Sequence, residues 1–317
     1  MPHARVGDEL LSRGYTVEEL PLNGGYKQYI NPNGKVAITK SKYYDYPFLS
    51  GMTKNISRNK ELSYAFAQLY NVTVPATIRT VNFDEASKFL ATHERVIVKP
   101  TELGGSYGLT LDITHPSQLR EAIVKATING SSPLIQEQFI GEEVRFTVIG
   151  GKVQSVVLRE TPRVIGDGKK TVAELIQAEN EVRKTLIFPL FSYPPLTAEI
   201  IPGHFINDTT VLAESEILEL SKTTTRHGAS FYGVLETIHP SYIEIVERLA
   251  SRLNPPFLVL DLMVKDLNAE AQPNNYIFLE FNTAPALVVY SSIRGGDTPD
   301  VIGKIADLVD EYSQLSS

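Results

Sequence analysis

Between Val96 and Arg145 the chain reads strand, glycine-rich loop, helix, strand and acidic turn, and this run constrains the fold more than any other stretch. Val96-Ile97-Val98-Lys99-Pro100 is a short apolar run that closes on a lysine, and Gly104-Gly105-Ser106-Tyr107-Gly108 follows it almost at once. Pro116 to Ala126 has the period of a helix, and Pro133 to Gln138 is a second apolar strand that runs into Gly141-Glu142-Glu143. Strands and helices keep alternating from residue 76 to residue 160, as they do in α+β or mixed α/β chains whose sheet is covered by helices.

On either side the pattern is less uniform. Residues 8–14 predict a short helix, and Tyr26–Ile30 and Lys35–Thr39 alternate like strands around the turn residues Asn31-Pro32-Asn33-Gly34. Arg58–Tyr70 is expected as one helix, with Leu62, Phe66 and Leu69 on one face. Thr161–Lys170 reads as irregular, Thr171–Leu186 and His239–Arg252 as helices, Phe257–Val264 and Tyr276–Phe281 as strands, and Pro299–Tyr312 as the last helix. Residues 187–230, rich in proline and scattered polar positions, are the least legible part. A chain of 317 residues, 42% hydrophobic, has material for two or three domains. The expected division is a short N-terminal α/β unit over 1–57, a first subdomain with a central glycine loop over 58–140, and a C-terminal subdomain with a metal site over 141–317.

Charge and composition remove several function classes. A net charge of −7 opposes general binding to nucleic acid or to an anionic membrane. The absence of cysteine removes disulfides, thiolate nucleophiles and cysteine metal sites. No apolar run reaches transmembrane length, and a cytoplasmic chain is expected. No Ser/His/Asp or His-x-x-x-His pattern supports a triad or a metallohydrolase.

The remaining chemistry points to phosphate. A lysine at the end of an apolar strand needs a partner or a ligand, because burying it alone is costly. The backbone amides of a Gly-rich loop can approach phosphate oxygens closely, although such a loop is by itself compatible with a plain turn. It is neither a Walker-A loop nor a Rossmann fingerprint. Glu137 and Glu143 flank a turn that could present backbone to an adenine edge and a carboxylate to a ribose; on residues alone, a solvated acidic turn fits as well. Glu280 and Asn282 lie two apart on one strand and share a face, and the polar turn Asn268–Asn275 would let that strand pair with the one carrying Asp261. Three oxygen ligands beside a phosphate site suit Mg²⁺. Lys60, Arg145, Arg159, Arg163 and Arg226 are the basic side chains available to neutralise phosphate or a developing oxyanion.

Taken together these segments resemble the ATP-grasp superfamily, most closely the ATP-grasp domains of cyanophycin synthetase and bifunctional glutathione synthetase, from about Lys60 to the C-terminus. The marks are VIVKP with GGSYG, EQFIGEEVRFTVIGGKV, FLEFNTAP, and above all Arg159-Glu160-Thr161-Pro162-Arg163-Val164-Ile165-Gly166-Asp167-Gly168 followed by Thr171-Val172-Ala173-Glu174-Leu175-Ile176. The resemblance implies two α+β subdomains clamping ATP. It implies Lys60 and Lys99 on the nucleotide, Gly104, Gly105, Ser106 and Gly108 in a lid over the phosphates, and Glu137 with Gln138, Phe139 and Ile140 as the adenine-reading turn. Glu143 would take the ribose, Asp261, Glu280 and Asn282 would hold Mg²⁺ as two ions (Mn²⁺ as a substitute), and Arg145 and Arg159 would line the acyl-phosphate region. Arg226 is assigned an oxyanion role in Lys222–Ser230, the counterpart of the family's N-x-S-T-G-G segment, of which only Gly228 is kept. The expected activity is ADP-forming carboxylate–amine ligation of amino acids or small peptides, with no nucleic acid or membrane partner and with a homodimer as the assembly. The alternatives are a ligase acting on a peptide or protein acceptor, and an ATP-binding regulatory protein without ligase activity.

Overall fold

The computed structural model describes residues 5–22, 25–40, 48–101, 106–127, 130, 132–185, 195–196, 209–224 and 228–315. The chain opens with α1 (Val6–Ser12) and an antiparallel meander of β1 (Thr16–Glu19), β2 (Tyr26–Ile30) and β3 (Val36–Lys40). A helix not expected from the sequence, α2 (Gly51–Arg58), precedes the one expected over Arg58–Tyr70, which is α3 (Lys60–Leu69). Asn59 separates them: its backbone is extended, and its side chain accepts the Leu62 amide at 3.0 Å, so it ends one helix and caps the next.

Next come β4 (Thr77–Arg79), α4 (Phe83–Ala91), β5 (Val96–Pro100), β6 (Thr110–Ile113), α5 (Pro116–Ala126) and β7 (Pro133–Glu137). They form an antiparallel four-stranded sheet in the order β4-β7-β5-β6. Val96, Val98 and Ile135 face Ala86, Leu90, Leu119 and Ile123 of α4 and α5 in one small core. Alternation then turns Ile97, Lys99 and Gln136 to the opposite face.

The rest of the chain builds the larger unit. Its elements are β8 (Glu142–Ile149), β9 (Lys152–Glu160), β10 (Arg163–Ile165), α6 (Val172–Thr185), β11 (Ile217–Glu219), β12 (Ser230–Gly233), α7 (Pro240–Ser251), β13 (Phe257–Val264), β14 (Tyr276–Asn282), α8 (Val288–Ser291), β15 (Ile293–Gly295) and α9 (Val301–Leu315). Six of the strands make a sheet in the order β14-β13-β8-β9-β12-β15, parallel only between β12 and β15. Contrary to the irregular reading of Thr161–Lys170, β10 pairs with β11.

One face of the six-stranded sheet is apolar throughout. Val144, Phe146, Val148, Leu258, Leu260 and Leu262 pack there on Tyr242, Val246 and Leu249 of α7 and on Tyr64 and Ala67 of α3. So α3, placed with the first subdomain by sequence, shares the core of the larger sheet. The other face changes character along its strands. Phe257 and Val259 join a core with α8, α9, Val6, Leu10, Tyr29 and Ala37, so the N-terminal unit is fastened to the C-terminal one. Two residues further along the same face comes Asp261. Among the described residues, no helix is long and apolar enough to cross a membrane.

Candidate active site

Asp261 occupies the centre of the polar half of that face. Its neighbours across the strands are Arg145 on β8 and Glu280 on β14. Arg145 donates Nε to Oδ1 at 2.8 Å and Nη2 to Oδ2 at 2.7 Å, and both side chains are buried. Burial alone would lower the Arg145 pKa; the charge and hydrogen bonds of Asp261 outweigh it and hold the guanidinium above its usual value. One strand further, Arg159 faces Glu143 and hydrogen-bonds it, while lying 4.0 Å from Asp261. Glu143 also accepts from the Thr224 hydroxyl. Thr147, on the same face of β8, shares a 2.6 Å hydrogen bond with buried Tyr290.

The strand is irregular beside Glu280. Asp261 pairs with Glu280, but Leu262 pairs with Phe278, so Leu279 is an extra residue in β14. In unbroken alternation Phe278 and Glu280, two apart, would share a face. With Leu279 bulged out, Phe278 and Phe281 both enter the α7-side core, ring centroids 4.8 Å apart, while Glu280 and Asn282 turn to the cleft. Burial, followed by the like charge of Asp261, pushes the Glu280 carboxyl up; Lys60, Lys99 and Arg145 oppose the shift.

Asp261, Glu280 and Asn282 thus fall on one face, as expected. Among the described residues, no group of three or more His, Asp or Glu side chains is placed to hold a metal, since this set is two carboxylates and one amide. The chemistry fits a hard cation nonetheless. Arg145 takes one lone pair from each Asp261 oxygen and leaves one on each, and Asn282 Oδ1, which accepts the Ala284 amide at 2.9 Å, has a second.

The opposing wall belongs to the four-stranded sheet. Lys99 Nζ donates to Tyr64 Oη at 2.9 Å and lies 5.5 Å from the centroid of its ring. Gln136 Nε2 donates to the same hydroxyl at 3.3 Å. Gln136 is 1% exposed, and its Oε1 is buried without a hydrogen-bond partner. Lys60 heads α3 and reaches the Thr101 carbonyl at 3.4 Å. Burial lowers its pKa, with Glu280 opposing and Lys99 reinforcing, so the lysine lies between the two walls. In the glycine-rich loop, Ser106 and Gly108 both have positive φ, and a Cβ on Gly108 would stand 2.8 Å from Pro100 Cγ. Gly104 and Gly105, like Arg226, lie outside the described residues.

The turn between the sheets differs from its sequence reading at one residue. Glu137 pairs with Val96, which faces α4 and α5, so its exposed side chain lies on the face away from Lys99. The cleft-facing polar residue of β7 is Gln136, which sequence reasoning missed; its signal was even spacing in register with Lys99 rather than any motif. The Glu137 and Gln138 amides are bonded to the Ala76 and Arg95 carbonyls. The Phe139 ring meets Lys265 Nζ at 5.4 Å, and Ile140 is exposed. Gly141 is required by packing, because a Cβ there would meet the Val264 carbonyl oxygen at 2.6 Å. Arg163 pairs with Glu160.

No family model matches the sequence. Over 272 residues the chain is 27% identical to the glutathione biosynthesis bifunctional protein of Clostridium perfringens, covering 82% of this chain and 35% of that protein. It is 24% identical over 266 residues to the cyanophycin synthetase of Trichormus variabilis, covering 79% of this chain and 29% of that one. The crystal structure of a bifunctional glutathione synthetase from Pasteurella multocida superposes with a TM-score of 0.66 at 18% identity, over 98% of this chain and 44% of that one. This chain has the ATP-grasp fold. It spans about a third of the length of the curated relatives it matches. The four-stranded and six-stranded sheets are the two main sheets of that fold, termed its jaws, and Val96–Arg145 spans from one to the other.

Proposed function

We propose that this ATP-grasp chain is an ADP-forming carboxylate–amine ligase that joins amino acids or small peptides in the cytoplasm. The observation that carries the reading is the placement of Asp261. It sits between Arg145 and Glu280, with Arg159 4.0 Å away, while Glu280 senses the charges of Lys60, at the head of α3, and of Lys99 on the opposite jaw. A triphosphate in this cleft would meet these lysines on one side and carboxylates on the other.

Lys60 and Lys99 would take phosphate oxygens, and the Ser106–Gly108 lid would cover them. The Phe139–Ile140 backbone would read the base edge, with the unpartnered Gln136 oxygen placed to accept from an exocyclic amine. Asp261, Glu280 and Asn282 would hold Mg²⁺, which when bound screens charge between phosphate oxygens. Transfer of the γ-phosphoryl group to a substrate carboxylate gives an acyl phosphate; the amine then adds to its carbonyl, and phosphate leaves. Arg159, buried and with its Nε unpartnered, is placed to steady the charge that develops on that carbonyl oxygen. Glu143 would reach a ribose only by exchanging one of its present bonds to Arg159 and Thr224.

The test is an ADP-release screen with Mg·ATP over paired amino acids and dipeptides, with products weighed by mass spectrometry. ADP formation that depends on one acid–amine pair, and that falls about a hundredfold or more in Glu280→Gln, is expected. No ADP with any pair, together with unchanged ATP affinity in Glu280→Gln, would overturn the reading.

A further inference from the structure

One short segment touches both jaws. Ser221–Thr224 leaves β11 from an anchor on the larger unit, where the Leu220 amide bonds the Pro162 carbonyl at 2.7 Å and the Leu220 side chain is buried. From there Lys222 reaches across and bonds the carboxylate of Asp112, on β6 of the smaller sheet. Two residues later, Thr224 donates its hydroxyl to Glu143, which holds Arg159. Between them the Thr223 amide donates to Ser221 Oγ at 3.2 Å, which folds the segment on itself.

Asp112 is prepared for that contact. It lies in the left-handed region at φ 56°, a conformation that few non-glycine residues adopt and that aspartate tolerates better than most. Its amide donates to Gln138 Oε1 at 2.6 Å, and its Oδ1 accepts Gln138 Nε2 at 3.1 Å and Arg95 Nη1 at 3.0 Å. Gln138 belongs to the turn between the jaws, so Asp112 is locked to that turn on one side and to Lys222 on the other.

We propose that Lys222 and Thr224 are positioning residues on a single strap, so that closing the cleft at the base-reading turn and setting Arg159 on the opposite wall are one mechanical event. The bonds form a continuous path: Gln138 to Asp112, Asp112 to Lys222, then through the folded segment to Thr224, Glu143 and Arg159. The proposal deepens the ATP reading and rests on it only for the nucleotide. The strap holds the jaws through a partly exposed ion pair, so its grip is modest and weakens with salt.

The absence of native cysteine allows a direct test in the full chain. Glu121→Cys on α5 and Glu244→Cys on α7, both exposed, would carry spin labels that report the distance between the jaws. With Lys222 in place, one short distance is expected, and ADP narrows it. Lys222→Ala should shift the distribution to longer distances and weaken ADP binding by about threefold to fivefold at low ionic strength, with Lys222→Arg restoring both. The strap is overturned if Lys222→Ala leaves the distance distribution and ADP affinity as they were, or if Lys222→Arg behaves like the alanine variant. Failure of the unaltered protein to bind ADP would sink the nucleotide reading instead, while the nucleotide-free distances would still decide the strap.

Discussion

The two walls of the cleft both present charge, but they restrain it differently. On the six-stranded sheet, Arg145 is matched by Asp261 and Arg159 by Glu143, all within a face buried by neighbouring strands. On the four-stranded sheet, Lys99 and Gln136 both lean on the neutral hydroxyl of Tyr64, and Gln136 keeps an unpartnered oxygen. The ion pairs of the first wall are closed without a ligand, whereas Lys99 on the second wall has no counter-charge among these contacts. Breaking one of those pairs should therefore register mainly in folding, and a change on the second wall mainly in binding.

The largest expected effect tests the first half of that contrast. Asp261→Ala leaves the Arg145 guanidinium buried without its counter-charge, which should cost about 3–5 kcal/mol of folding stability. Urea denaturation would show it as a lower midpoint at unchanged slope. A loss below about 1 kcal/mol would mean that this wall is no more self-contained than the other. On the second wall, Gln136→Leu removes one weak bond to Tyr64 together with a buried unsatisfied oxygen, so stability should stay within about 1 kcal/mol. ATP affinity, read by calorimetry, should fall about fivefold to tenfold, with little change for a nucleotide lacking the exocyclic amine. Loss of folding instead of affinity would break the comparison from the other side.

The smallest effect concerns the strap between the walls. Burial acts to raise the Asp112 pKa, but the hydrogen bond and charge of Lys222, with Gln138 and Arg95, outweigh it and hold the group below its usual value of 3.8. A carboxylate depressed on folding contributes stability above its unfolded pKa and loses it as pH falls through the folded one. Jaw distances should therefore be constant from neutrality down to about pH 4 and lengthen only in more acid solution. An opening that begins near pH 6 would exclude Asp112 as its cause.

Much of the fold was legible because many elements follow their period. α5 and β13 match their sequence bounds, and the Phe257–Val264 run is apolar on both faces except at Asp261. The pairing of the strand carrying Asp261 with the strand carrying Glu280 was also expected from the polar turn between them. What could not be read depended on partners distant in sequence. Gln136 and Glu137 are adjacent and both polar, and only the packing of β7 against α4 and α5 decides which one faces the cleft. The most distinctive motif proved mainly architectural. Asp167 accepts the Lys169 and Lys170 amides to close a turn, Thr171 and Glu174 form a reciprocal cap at the start of α6, and a Cβ on Gly166 would lie 2.1 Å from the Ala213 oxygen. Of that motif, Arg159 stands in the cleft. A specific signature can thus identify a fold while naming few of the groups that react.

The extra residue in β14 makes a different kind of demand on the chain. A strand written in strict alternation serves one face with its odd positions and the other with its even ones. Leu279 changes the phase midway, so Phe278 and Phe281, three apart, reach the same core and Glu280 is released to the other side. The change of phase belongs to the backbone rather than to the Leu279 side chain, which is only half-buried. Removing the position altogether would join Phe278 to Glu280 in plain alternation, with Phe278 and Phe281 still on the core face and Glu280 still on the cleft face. The bulge therefore adds local bend and twist beside the site, and the choice of which residues enter the cleft does not depend on it.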